Sequence, residues 1–257
     1  MRIVWLCLLG AISYLVSMLV LFPAAPVVDR IRPHLGLVAL DGVSGKLYSG
    51  VVSSVRSTDD LLPLELQNVA WTVSPGSLLQ GGAGARISFD GYGGGGSGLV
   101  SRQWNGEVVV SDFKFTAEAK ALEPLLPVPI ASFAGELSGT IDQIVLANNL
   151  LQRLGGQLTW SNAALERPVP TALGTVQVLI EPEADLSHVV NLSAEGGDVT
   201  MNGTVTVRQN GDFAADVLLS PAPGASPEVV NGLRQMGRPD AQGRVRLQRQ
   251  GNVNRLM

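Results

Sequence analysis

The chain has 257 residues, is 46% apolar and only 16% charged, and carries a net charge of -4. A pI near 5.2 leaves no clustered basic footprint for nucleic acid. The low charge, against roughly 25% in an ordinary soluble domain, points to a surface built from Gly, Ser, Thr, Asn and Gln. A β-rich domain of this length often stays undivided, so one main folded region is expected.

Residues 3–22, IVWLCLLGAISYLVSMLVLF, form an uncharged apolar run of twenty, the length a helix needs to cross the hydrocarbon core. Trp5 and Phe22 stand near its ends and Pro23 follows as a helix stop. The run predicts a retained single-pass anchor. A cleaved signal peptide is the rival, but its apolar core is shorter, about 7 to 15 residues, and here Ala24 and Ala25 lie between prolines. Arg2 on one side is balanced by Arg30 and Arg32 on the other, so charge alone does not orient the anchor. The sole cysteine, Cys7, lies in the run, which leaves no internal disulfide for the rest of the chain. The division expected is 1–22 as cytoplasmic stub and anchor, 23–40 as linker with Pro23, Pro26 and Pro33, and 41–257 as a β-rich domain.

The segment DGVSGKLYSG, residues 41–50, resembles a phosphate-cradling loop at first sight. A P-loop needs glycine five positions before Gly45 and Ser or Thr after Lys46, and this chain has Leu40 and Leu47 there. The structural reading is that Gly42 and Gly45 bend the chain into a first strand, KLYSGVVSSVR, which Leu47 begins and in which Gly50 marks a close approach or bulge. Lys46 is then a solvated side chain.

A short helical turn is predicted at 74–80. The glycine-rich stretch 81–98 contains GYGGGG, a literal G-x-G-x-x-G, but no helical stripe follows it, so a mobile hairpin loop is expected rather than a dinucleotide site. Residues 112–120 alternate Phe113, Phe115, Ala117 and Ala119 against polar neighbours, as a half-buried strand does. In 198–220 the apolar rows are Val199, Met201, Val205, Val207 and then Phe213, Ala215, Val217, Leu219. A two-residue Asn210-Gly211 turn would put these rows on opposite faces. A three-residue loop with Gly211 in the left-handed bulge position pairs Val207 with Phe213 and Val205 with Ala215.

One helix is well punctuated: Ser226 caps it, Pro227 takes the first position, Glu228 complements the dipole, and Gly237 with Pro239 ends it. Its expected stripe is Val229, Val230, Leu233 and Met236. A last strand follows, alternating Val245 and Leu247 with Arg244 and Arg246. Glycine followed two residues later by Leu or Val recurs at Gly45, Gly135, Gly156 and Gly197. The irregular spacing argues for strand openings in one curved antiparallel sheet rather than a solenoid. The fold class is therefore mainly β, with an N-terminal transmembrane helix and one or two short helices.

Chemistry-bearing patterns are sparse. The two histidines, His34 and His188, do not make a metal site, and the acids Glu181, Glu183 and Asp185 beside His188 read as solvated groups at a strand end. There is no G-x-S-x-G elbow, and Asp59-Asp60 are ordinary turn acids. The triplets Asn191-Leu192-Ser193 and Asn202-Gly203-Thr204 match glycosylation sequons but arise readily in hydroxyl-rich strands. No catalytic, cofactor or metal residue is expected.

GVSGKLYSG at 42–50 and VAWTVSPGSLLQGG, with Trp71, Pro75, Leu78, Leu79 and Gly81, come first in a longer series. GELSGTI from Gly135, LGGQLTW ending at Trp160, and GLRQMGRPDAQGRVRLQ follow in order. Together they resemble the N component of the bacterial type II secretion system. The resemblance implies a non-enzymatic inner-membrane protein with its N terminus in the cytoplasm and its main domain in the periplasm. Its implied partners are the other platform components and the secretin. The glycine density of 81–98 departs from that pattern. A sheet with one apolar face and open edges suits strand addition by such partners, or the Arg244/Arg246 face meets them. The alternative is an anchored lipid-binding or lipid-transfer protein whose apolar sheet face cradles acyl chains.

Overall fold

The computed structural model describes residues 21–31, 38–57, 63–79, 81–125, 131–148, 150–167 and 169–252, with Trp5, Leu9, Gly10, Ser13, Tyr14 and Gly36 besides. Most of the apolar run 3–22 lies outside the described residues, as do His34, Asp59 and Asp60. Among the described residues no helix is long and apolar enough to cross a membrane.

Thirteen strands form one antiparallel sheet in simple sequence order. They are β1 (Val38–Gly45), β2 (Ser49–Ser57), β3 (Glu65–Ser74), β4 (Gly82–Gly91), β5 (Gly94–Gln103), β6 (Val108–Glu118) and β7 (Ser132–Ala147). Then come β8 (Leu150–Arg167), β9 (Thr171–Pro182), β10 (His188–Gly196), β11 (Val199–Val207), β12 (Asp212–Pro221) and β13 (Val245–Asn252). Short helices accompany them among the described residues: α1 (Ala24–Ile31), α2 (Pro75–Leu79) and α3 (Pro227–Met236). A 3-10 turn at Lys120–Leu125 precedes β7.

The sheet stays open. The chain exposes 16632 Å², whereas a compact monomer of its mass exposes about 10,800 Å² by the usual surface scaling. Odd-numbered strands run toward one end, called here the Phe22 end because Phe22 and Pro23 meet the β1–β2 turn there. Even-numbered strands return to the far end.

One row of the ladder shows how the sequence makes two faces. Phe89, Gly96, Phe115, Gly139, Leu158, Val178, Leu192, Gly203, Val217 and Leu247 oppose one another in turn from β4 to β13. The adjacent row, one residue along, is Ser88, Ser97, Lys114, Thr140, Gln157, Leu179, Asn191, Thr204, Asp216 and Gln248. Paired residues share a face, so strand alternation becomes an apolar side and a largely polar side across ten strands.

The fully buried core lies at one end of this apolar face. Val229 and Leu233 of α3 pack on Val199, Leu219 and Val245. Ala163, Val176 and Ala194 form a second cluster, joined to the first through Leu173 and Met201. Elsewhere on the apolar face Val52 and Ala117 are buried, and most of the other side chains are half-buried.

Several expectations hold and several change. The Gln209–Gly211 loop pairs Val207 with Phe213 and Val205 with Ala215, with Gly211 at φ 84°. The predicted helices at 75–79 and 227–236 are present, and Ser226 Oγ accepts the Val229 amide at 3.3 Å. Met236 is exposed, so the stripe ends at Leu233. The first strand does not begin at Leu47: β1 ends at Gly45, Lys46 to Tyr48 turn, and β2 starts at Ser49.

The stretch read as a linker holds α1, whose Pro26 falls in the first turn, where no intrahelical amide bond is lost. The stretch 81–98 is strand rather than loop, closed by the two-residue turn Tyr92-Gly93 with φ of 54° and 75°. Two of its glycines are ladder positions beneath aromatic rings: a Cβ at Gly96 would meet Phe89, and one at Gly98 would meet Phe113. Of the recurring Gly-x-Leu/Val triplets only Gly197 precedes a strand start. Gly135 and Gly156 lie inside β7 and β8.

Candidate interaction surfaces

The residues singled out in the sequence gather at opposite sides of the sheet. At the first hairpin Gly45 pairs with Gly50, and Gly50 with Trp71. Gly45 has φ 94°, and a Cβ there would stand 2.7 Å from Gly50 Cα, so both the backbone angle and the close approach require glycine. The Trp71 ring covers Gly50, which is buried, and its Nε1 donates to the Leu47 carbonyl at 3.1 Å. The Leu47 amide in turn donates to the Phe22 carbonyl at 2.8 Å. Gly42, with φ 67°, sits in β1 where a Cβ would strike Ser53. Pro75 opens α2 just beyond β3, and Ser77 of that helix is buried against Gly84 and Ser101. This group locks the β1–β2–β3 corner to the point where the N-terminal segment enters. Lys46 is exposed.

The second group lies around β13. Gly237 is extended, and a Cβ there would press on Val245. Pro239 bridges Val245. Asp240 accepts the amides of Gln242 and Arg244 at 2.9 Å each and the Arg244 Nε at 2.7 Å, which fixes the turn into β13. Arg246 spans to Asp216 on β12 through both carboxylate oxygens, with Nε to Oδ1 at 2.7 Å, and Gln248 adds a 3.1 Å bond. The Arg246 hydrogen bond, then that of Gln248, holds the Asp216 carboxyl down to about 2, and Asp216 raises the Arg246 pKa in return. Both arginines are therefore paired, although solvent-exposed.

Sequence reasoning missed three contacts. His188 begins β10 and is buried, and its Nε2 accepts the Leu154 amide at 3.0 Å. Burial lowers its pKa. Among the described residues no group of three His, Cys, Asp or Glu side chains is placed to hold a metal. Phe89, Phe113 and Phe115 stack with ring centroids about 6 Å apart (6.1 and 5.9 Å) over the glycine rows of β5 and β7. Trp160 meets Phe133 edge-on and donates to the Ala134 carbonyl at 3.0 Å. The phenylalanine alternation was visible in the sequence; the strand-to-strand register that places glycines beneath the rings was not.

The open meander with its apolar face and two bare sides has no counterpart among solved structures in a comparison of folds. Sequence comparison decides the family. Residues 36–248 match the family described as type II secretion system (T2SS), protein N. The chain belongs to that family. It is 29% identical over 248 residues to the type II secretion system protein N of Aeromonas hydrophila, covering 94% of this chain and 95% of that one. Family membership makes the chain a component of type II secretion, and the matched span takes in the whole sheet as far as Gln248.

Proposed function

We propose that this component is a non-enzymatic scaffold of the inner-membrane platform. It is anchored by residues 3–22 with the N terminus cytoplasmic, and its domain from residue 41 onward faces the periplasm. It helps assemble or couple the platform that exports folded proteins. One observation carries the reading: the sheet is open, and its outer strands β1 and β13 are each paired on one side only. A bare strand edge offers a ladder of amides and carbonyls to a partner strand, and an anchored protein searches for that partner in two dimensions. Helix α1 lies against β1, which leaves β13 beyond Arg246 as the more accessible edge.

Site-specific photo-crosslinking along residues 198–250 in secreting cells tests the reading. Adducts to platform components or the secretin, strongest along β13, are expected; none at any position would count against it.

The apolar row from Phe89 to Leu247 favours a second reading, an anchored lipid-binding or lipid-transfer protein. Native mass spectrometry of the purified protein separates the two. Stoichiometric phospholipid that survives detergent exchange supports the groove, and lipid-free protein removes it.

A further inference from the structure

Strand polarity sorts the exposed apolar residues of the sheet. Tyr48, Trp104, Leu146, Leu150, Leu151 and Leu186 are all large, apolar and exposed, with Trp104 at 69% and Leu150 at 52%. They belong to the β1–β2, β5–β6, β7–β8 and β9–β10 turns or the strand ends beside them, all at the Phe22 end. Three far-end turns that are described throughout, β4–β5, β10–β11 and β12–β13, are built instead around Gly93, Gly197 and Pro221 to Gly224. Among the described residues from β1 onward, the large apolar exposures away from the Phe22 half are Leu64 and Met236.

We infer that the Phe22 end of the sheet rests on a lipid bilayer surface, with these turns in the interfacial layer. Continuity carries the choice of occupant. The apolar run 3–22 ends at Phe22, whose carbonyl is bonded to Leu47 in the β1–β2 turn, and Pro23 bridges Lys46. No spacer separates the exit of that run from this end of the sheet.

Geometry agrees. The turns from β1–β2 to β9–β10 are spread over eight strand spacings, roughly 40 Å. A protein hot spot gathers its anchors at one centre, whereas apolar tips carried on separate turns along one side of a sheet suit an extended surface. Trp and Tyr are the residues that favour the membrane interface. Charges at this end are mixed, with Lys46, Arg153 and Arg208 against Glu107, Glu183 and Asp185, so the contact is apolar rather than a pull on anionic headgroups. The acids of the β9–β10 turn keep that turn at headgroup depth.

This inference rests on the anchored reading above, and one experiment separates their failures. The full-length protein, with Cys7→Ser, is placed in vesicles of phosphatidylethanolamine and phosphatidylglycerol, with or without bromine-labelled acyl chains. Single cysteines carrying an environment-sensitive dye are introduced as Trp104→Cys, Leu150→Cys and Leu186→Cys, with Tyr92→Cys and Gln242→Cys at the far end and Tyr14→Cys in the apolar run. Leu151→Cys replaces Leu150→Cys if that variant misfolds.

The dye at Trp104, Leu150 and Leu186 is expected to shift to the blue, lose most of its emission to bromolipid and resist iodide, while the far-end dyes stay aqueous. Quenching at Tyr14 with aqueous emission at all three turns overturns the inference and leaves the anchor standing. Turn quenching without quenching at Tyr14 upholds the surface and removes the anchor. Shielding that appears only when other secretion proteins are added identifies a protein partner and overturns the lipid assignment.

Discussion

Strands β11 to β13 and strands β4 to β6 carry the same alternation of apolar and polar residues, yet they are covered differently. Over β11 to β13 the apolar side meets α3, and Val199, Leu219 and Val245 are buried beneath Val229 and Leu233. Over β4 to β6 no helix packs on that side among the described residues, and the rings of Phe89, Phe113 and Phe115 lie across the glycines of neighbouring strands instead. Alternation reports which side of a sheet is apolar. Whether that side becomes a core depends on what the connections bring over it, and here the β12–β13 connection carries the ten-residue α3 across it.

Matched truncations test this contrast most strongly. Leu219→Ala leaves a cavity under α3 and is expected to cost about 3 kcal/mol. Leu158→Ala, on the half-covered row, should cost about 1 kcal/mol because little area returns to water. Denaturant unfolding of the detergent-solubilised protein measures both, and equal losses would mean that the open row is covered in solution.

Gly45→Val comes next, at about 2 kcal/mol for a branched residue held at positive φ, with the loss confined to the first hairpin. Hydrogen exchange should show faster exchange in β1 and β2 and an unchanged β11–β13. Ser226→Ala removes the cap of α3 and should cost about 1 kcal/mol, read as faster exchange in that helix alone.

A pH titration separates two further groups. Burial lowers the pKa of His188 in the folded protein, so below about 6.5 the unfolded chain takes up a proton that the folded chain does not, and stability falls as pH drops. His188→Gln keeps an acceptor for the Leu154 amide and should flatten that slope. The Asp216 carboxyl is held down to about 2 by Arg246 and then Gln248. Its contribution is present above the ordinary carboxylate range and lost as pH falls from about 4 toward 2. The pair is solvent-exposed, so Arg246→Ala should shift the neutral-pH unfolding midpoint little. The smallest effect belongs to Lys46→Ala, expected to leave both stability and secretion unchanged.

Much of the sheet was legible in the sequence because it rests on local rules. The bulged loop at Gln209–Gly211 followed from requiring two apolar rows to share a face, and the C-terminal helix from its cap and its proline. The glycine-rich stretch was not legible as strand, since glycine has low strand preference in isolation. Here the missing side chains of Gly96 and Gly98 make room for rings supplied by the strands on either side, a fact of register rather than of composition. Gly50 was marked as a close approach, but the ring that approaches it, Trp71, comes from β3. The Asp216 partner of Arg246 is thirty residues away and belongs to a different strand. Likewise the burial of His188 was not legible, because nothing nearby in the chain announces the Leu154 amide that bonds to it.

The strand order has a temporal consequence. Each strand pairs with the one made just before it, so a chain delivered N-terminus first can add hairpins one after another without waiting for distant segments. At every stage the newest strand is an unsatisfied template, open to any passing strand of another molecule. β13 keeps such an edge on its outer side, the side on which a partner strand would add. A partner strand present while the chain is delivered would cap the eight-residue β13, Val245–Asn252, before a second copy could reach it, so that docking and protection of the edge become one event.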